Sequence, residues 1–171
     1  MGVLDDLGGI LKQYTGATAT ANPGPAVAEH FDQVSHAVPA STLADGVTHA
    51  LNSTTTGGGL GQALSQSFTQ GTGEQKAGIL NTLVSSVGAA TAGRFLGPSV
   101  AQTLNSGSPL SAQHAQGISA SAVQQLADQA AQNDGSVVNR LGSFYAQHPT
   151  LVKGLGASAM ALVMSRLANR R

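Results

Sequence analysis

The chain has 171 residues, 41% hydrophobic but only 4% aromatic, and it lacks both Trp and Cys; it is long enough to bury a core unaided, and a disulfide framework and a thiol nucleophile are excluded. Charged residues make up 9% and the formal net charge is zero, against roughly 25% charged residues in an ordinary soluble domain. Bases this sparse and aromatics this few exclude a nucleic-acid face, and little charge repulsion is available to keep copies apart.

Val3, Leu7, Ile10 and Tyr14 recur at spacings of three and four, which predicts an N-terminal amphipathic helix over 1–15, ended by Gly16. Residues 16–25, inside "GATATANPGPA", are a linker by composition, and a helical bundle is expected over 26–104. Its second helix carries Val27, Phe31, Val34 and Val38 and stops before Pro39. A third, from Ser41 to about Asn52, carries Leu43, Val47 and Leu51, with Thr42 three residues before Asp45 as its expected cap. "NSTTTGGG" breaks the chain, Leu60, Leu64 and Phe68 mark a fourth helix ended by Gly71 or Gly73, and Thr72 with Gln75 in "TGEQ" predicts a capping box.

The next segment, "AGILNTLVSSVGAATAGRFLGPSVAQTL" at 77–104, has Arg94 as its sole charge. Ile79, Leu80, Leu83, Val84 and Val87 form one apolar stripe, which Gly88, Gly93, Gly97 and Pro98 are expected to interrupt or kink. Residues 105–118 are a second linker by composition, followed by a three-helix segment over 119–171. It comprises a helix over about 119–132, one from Asn133 or Asp134 presenting Val137, Leu141, Phe144 and Tyr145, and a last one opened by Pro149. The cationic end of that last helix, Arg166, Arg170 and Arg171, complements its dipole. Nothing alternates with period two over more than a few residues, so the fold class is all-α: about eight helices in a bundle with two Gly/Ser/Thr/Pro-rich joints.

Catalytic chemistry finds little support. "GASAM" around Ser158 lacks the second glycine of a nucleophile elbow, and "GGGLGQAL" at 57–64 has neither the lysine nor the preceding strand of a phosphate loop. Asp32 with His36 and Asp45 with His49 stand at i, i+4 on consecutive helices. They are four zinc ligands if they converge, or two solvent-facing pairs in which the acid favours the protonated imidazole. His30, His114 and His148 have no partner nearby in sequence. The expectation is a protein that is not an enzyme, with no catalytic residues, cofactor, metal or small-molecule substrate. The N-terminus has acids where a secretory signal needs bases, and Asp6 occupies the Ser/Thr position of a myristoylation motif; cytoplasmic is the default, with export by a route without a cleaved signal left open. Neither the long segment nor the last helix holds the about 20 predominantly apolar residues of a membrane span. The last helix, with an apolar side and a basic end, at most suits a membrane surface.

Small residues recur at i, i+4: Gly88 with Ala92, Ala89 with Gly93 beside Arg94, and Gly154 with Ser158. They let helix backbones approach closely, inside the chain's own bundle or between subunits. Residues 1–76 carry Asp5, Asp6, Glu29, Asp32, Asp45 and Glu74 against Lys12 and Lys76, a net −4, and the remainder carries +4. That polarity is satisfied within one fold or between copies packed head to tail. The leading expectation is a structural protein whose partner is itself, a homo-oligomer that extends to a filament or tube through these small-residue faces and complementary halves. The alternative is a helical binding module for a membrane surface, lipid or protein partner.

"MGVLDDLGGIL" at 1–11 and "GGGLGQALSQSF" at 57–68 resemble the bacterial YidB-like family of small all-helical proteins. "EHFDQVSHAVPASTLADGVTHAL" and "FYAQHPTLVKGLG" are similar to bacterial proteins of unknown role. The resemblance covers mainly the N-terminal half and implies a bacterial, helical, non-catalytic protein.

Overall fold

The structure, a computed structural model, describes residues 3–15, 26–55 and 59–169. Among them are twelve helices and no strand: α1 (Val3–Lys12), α2 (Val27–Ala37), α3 (Ala40–Thr55), α4 (Leu60–Gln70), α5 (Gly73–Val87), α6 (Ala89–Leu96), α7 (Pro98–Asn105), α8 (Ala112–Gln116), α9 (Ala120–Asn133), α10 (Val137–Gln147), α11 (Pro149–Gly154) and α12 (Ala157–Ala168). The all-α class is as expected. The count exceeds eight for three local reasons.

The long segment splits at Gly88 and again at Gly97, whose φ angles of 83° and 95° lie where a side chain is disfavoured; Gly93, expected to break the helix, lies inside α6. The final helix splits likewise at Gly156, φ 96°, so α11 and α12 are separate. Residues 105–118 contain α8, opened by a box in which Ser111 and His114 exchange hydrogen bonds, and Leu110 within them is 3% exposed. The second joint thus carries a short helix and is pinned at Leu110 and Ala115, while most of its residues are exposed. The first, 16–25, lies outside the described residues, as do 56–58 of "NSTTTGGG" and the final Arg170 and Arg171.

Helix starts follow local chemistry. Thr72 N donates to Gln75 Oε1 at 3.0 Å and Gln75 N to Thr72 Oγ1 at 3.4 Å, the box expected at α5, and Pro149 stands at the first position of α11. Thr42 is not a cap: α3 begins at Ala40, and Pro39 O already accepts from Leu43 N at 3.1 Å, which places Thr42 inside the first turn. α10 starts later than expected because Asp134 Oδ1 accepts from Ser136 N at 2.9 Å and closes a turn ahead of Val137.

The most extensive packing between helices distant in sequence joins two runs of the chain. From the first run, α3 lies against α10 and α12, α4 against α9 and α11, and α5 against α9 and α10. The helices over 27–87 therefore interleave with those over 120–168. One core results, with Phe31, Leu64, Leu80, Leu126, Leu141 and Tyr145 all at 0% exposure. α6 and α7 form a hairpin set against α9 and the end of α5, α8 lies along α5, and α1 rests on α12 and α2.

Candidate functional site

A groove lies at the end of α5, where the chain turns at Gly88. Asn81, Val84 and Ser85 of α5 form one wall and Ala89 of α6 and Leu104 of α7 another, with Gly107, Ser108 and Pro109 closing it, around about 320 Å³. No charged side chain lines it. Its polar side chains already have partners within the chain. Asn81 Nδ2 donates to Leu110 O at 3.0 Å and its Oδ1 accepts from Leu110 N at 2.8 Å. Ser85 Oγ donates to Asn81 O at 2.8 Å, and Ser108 Oγ accepts from Ser106 Oγ at 3.3 Å. What the groove offers an incoming group is mainly apolar surface.

The small residues of the sequence reading fall into two groups. Ala92 and Gly93 are buried, and a Cβ on Gly93 would stand 2.7 Å from Ala101 Cβ, so Gly93 lets α6 and α7 close on each other. Gly154 is buried against α4, where a Cβ would stand 2.7 Å from Ser67 Cα. Ser158 is exposed and belongs to a different helix, so Gly154 and Ser158 share no continuous helical stripe. Gly88 and Arg94 are exposed and Ala89 half-buried; of the seven, only Ala89 lines the groove.

The charges also meet inside the chain. Lys153 Nζ pairs with Asp32 Oδ2, joining the acidic run to the basic one, and α1 and α2 pack on α12, which carries Arg166. Arg140 Nη2 lies 3.5 Å from Asp134 Oδ2; hydrogen bonds from Ser136, with that guanidinium, hold the Asp134 carboxyl below its ordinary value. The acid–histidine pairs do not form a metal centre: among the described residues no group of three or more His, Asp or Glu side chains gathers. Asp32 turns to Lys153, while His36 Nδ1 sits 2.7 Å from the Asp32 backbone carbonyl.

Two polar contacts, one buried and one half-buried, escaped the sequence. Tyr145 OH bonds to Ser67 Oγ, both side chains at 0% exposure, and burial pushes the Tyr145 phenol far above its ordinary pKa. Tyr14 OH lies 2.9 Å from His30 Nδ1, giving that histidine a partner sixteen residues away. Along α12, Ala159, Met160, Val163, Met164 and Leu167 are buried, so the side proposed for a membrane surface faces the core. No described helix is long and apolar enough to cross a membrane. No family model, curated protein or solved structure matches the chain.

Proposed function

We propose that the protein works by association rather than by chemistry, as a non-catalytic structural protein that assembles with copies of itself. The observation that carries this reading is the groove at the end of α5, open, uncharged and with its polar side chains already engaged. Such a surface gains by covering apolar area and asks nothing of a partner's charge. A chain with 9% charged residues and zero net charge adds little repulsion between copies. The resemblance to the YidB-like family points to the same non-catalytic class. A helical binding module for an apolar partner is the second reading, favoured by the concave shape of the same groove.

Size-exclusion chromatography with light scattering on the purified full chain, followed by negative-stain electron microscopy, tests the proposal. A defined oligomer, ring, tube or filament is expected, and Ala89→Glu, which sets a charge on the groove wall, is expected to weaken it. A wild-type monomer at every concentration would overturn self-assembly and leave the binding module.

A further inference from the structure

We propose that the α6–α7 hairpin is a hinged wall of the groove, which pivots as one body on α5 and so sets how widely the groove opens to a partner. The opening to a partner rests on the association reading; the hinge itself does not. The chain is tied to α5 at two points, one on each side of the hairpin. On the way in, Gly88 N donates to Val84 O at 2.8 Å. On the way out, the Asn81 amide holds both backbone groups of Leu110. Asn81 and Val84 stand three residues apart on one face of α5, about 4.5 Å along its axis. The hairpin therefore hangs from a single spot, and the line through the two ties is an axis about which it can turn.

Between these ties nothing polar holds the hairpin to the bundle. Among the described residues, no hydrogen bond or ion pair joins 89–109 to another helix; its polar bonds are internal, such as Thr103 Oγ1 to Ser99 O at 3.2 Å. α6 meets α9 and the end of α5, and what it buries is apolar, Ala92 at 0% and Leu96 at 8% exposure. Such contact is non-directional, so it yields to a change of angle where a hydrogen bond would not. Other interfaces of the bundle carry polar ties: Tyr145 to Ser67, Gly61 N to Asp128 Oδ1 at 3.1 Å, and Gln75 Nε2 to Thr150 Oγ1 at 3.1 Å. Internally the hairpin is stiff, closed by the Gly93–Ala101 approach and by Ser108 N bonded to Thr103 O at 3.3 Å. Bending is left to two places. One is Gly88, exposed, in a conformation essentially confined to glycine (φ 83°, ψ 155°). The other is Ser108–Pro109, between that last internal bond and the Leu110 clamp. The groove is the crease of this hinge, with Asn81 and Val84 on the fixed side and Ala89 and Leu104 on the moving one. A partner that fits the open crease better shifts the hairpin by that difference in affinity.

The chain has no cysteine, so an introduced thiol reports its own site alone. Ala92→Cys in α6 and Ala161→Cys in α12 each replace an alanine at 0% exposure. Both full-length variants are alkylated in dilute native solution, beside hydrogen exchange of the wild type. The thiol at 92 should react at least about tenfold faster than that at 161, as local opening does against global unfolding. The amides of α6 and α7 should meanwhile stay protected, because a pivoting hairpin keeps its own helical bonds. Equal thiol rates, or α6 and α7 amides that exchange as readily as the thiol is exposed, overturn the hinge. Where Ala92→Cys impairs folding, surface labels decide. Spin labels at Ser99→Cys, at the far end of the hairpin, and Asn139→Cys on α10, both exposed, should give a broad or divided distance distribution. Gln66→Cys with Asn139→Cys, both in the bundle, should give a narrow one, and two equally narrow distributions overturn the proposal. The labelled chain is then diluted into excess unlabelled wild type at concentrations that assemble by light scattering. The distance between labels at 99 and 139 should shift; no shift in an assembled sample overturns the gating and leaves self-assembly standing. A wild type monomeric throughout overturns self-assembly, while the thiol rates still decide the hinge.

Discussion

Asn81 holds the backbone of Leu110 with both ends of its amide, donating from Nδ2 to the carbonyl at 3.0 Å and accepting the N–H on Oδ1 at 2.8 Å. A side chain thereby supplies to an irregular segment the pairing that a neighbouring strand would give, and it fixes 106–111 along α5. Leu110 is 3% exposed, so its backbone groups have little water to turn to. Replacing Asn81 by Ala should cost about 1–3 kcal/mol, read as a fall of several degrees in thermal midpoint. Asn81→Asp sets a carboxylate oxygen against the Leu110 carbonyl with no hydrogen between them, so its midpoint should fall at least as far as that of Asn81→Ala.

Gly142 and Gly9 should respond in opposite directions to alanine. A Cβ on Gly142 would enter Thr48 Oγ1 and stand 3.1 Å from the Ala44 carbonyl, at the contact of α10 with α3. Overpacking there should destabilise by about 1–3 kcal/mol. Gly9 sits in α1 with nothing within 4 Å of its missing Cβ, so Gly9→Ala should stabilise the helix by up to about 1 kcal/mol. Urea titration followed by circular dichroism separates them.

Stability should fall at alkaline pH. Burial raises the Tyr145 phenol, and also that of Tyr14, above the ordinary value of 10.0. Below pH 10 both tyrosines are protonated folded or unfolded, and they add no pH dependence. Above it the unfolded chain releases protons that the folded chain retains, so unfolding is favoured increasingly as pH rises. Tyr145→Phe should cost about 1 kcal/mol at neutral pH, since Ser67 Oγ keeps its bond to Leu64 O at 3.1 Å. It should also flatten the decline above pH 10, read from urea midpoints; an unchanged slope there would refute the assignment to Tyr145.

The Lys153–Asp32 pair lies at the surface, its side chains 36% and 44% exposed. Lys153→Met should therefore cost under about 1 kcal/mol, and the difference from wild type should shrink at high salt. A thermal melt in low and high sodium chloride measures both effects.

Much of the fold was legible because it rests on local signals. The stripes of Val27, Phe31 and Val34 and of Ile79, Leu80 and Leu83, the Thr72–Gln75 box and Pro149 each act within a few residues, and each lies where the sequence indicated. What escaped depended on partners far along the chain. The role of Asn81 escaped because its partner Leu110 is twenty-nine positions away; a poor helix former beside an apolar stripe was the available signal. Gly93 read as a break because glycine lowers helix propensity, whereas Ala101 fills the space its side chain would need. The groove draws on three helices and a loop, and no single stretch of sequence announces it.

The interleaving of 27–87 with 120–168 has a consequence for how the protein is made. When the first run has left the ribosome, the faces of α3, α4 and α5 that α9 to α12 will cover are still bare. No settled core exists until most of the chain has been synthesised. Closing contacts across such separations is also slow compared with local helix formation. Nascent chains stalled near residue 115 should therefore remain sensitive to protease, and resistance should arrive late and abruptly, once the last helices have emerged to lock between the first.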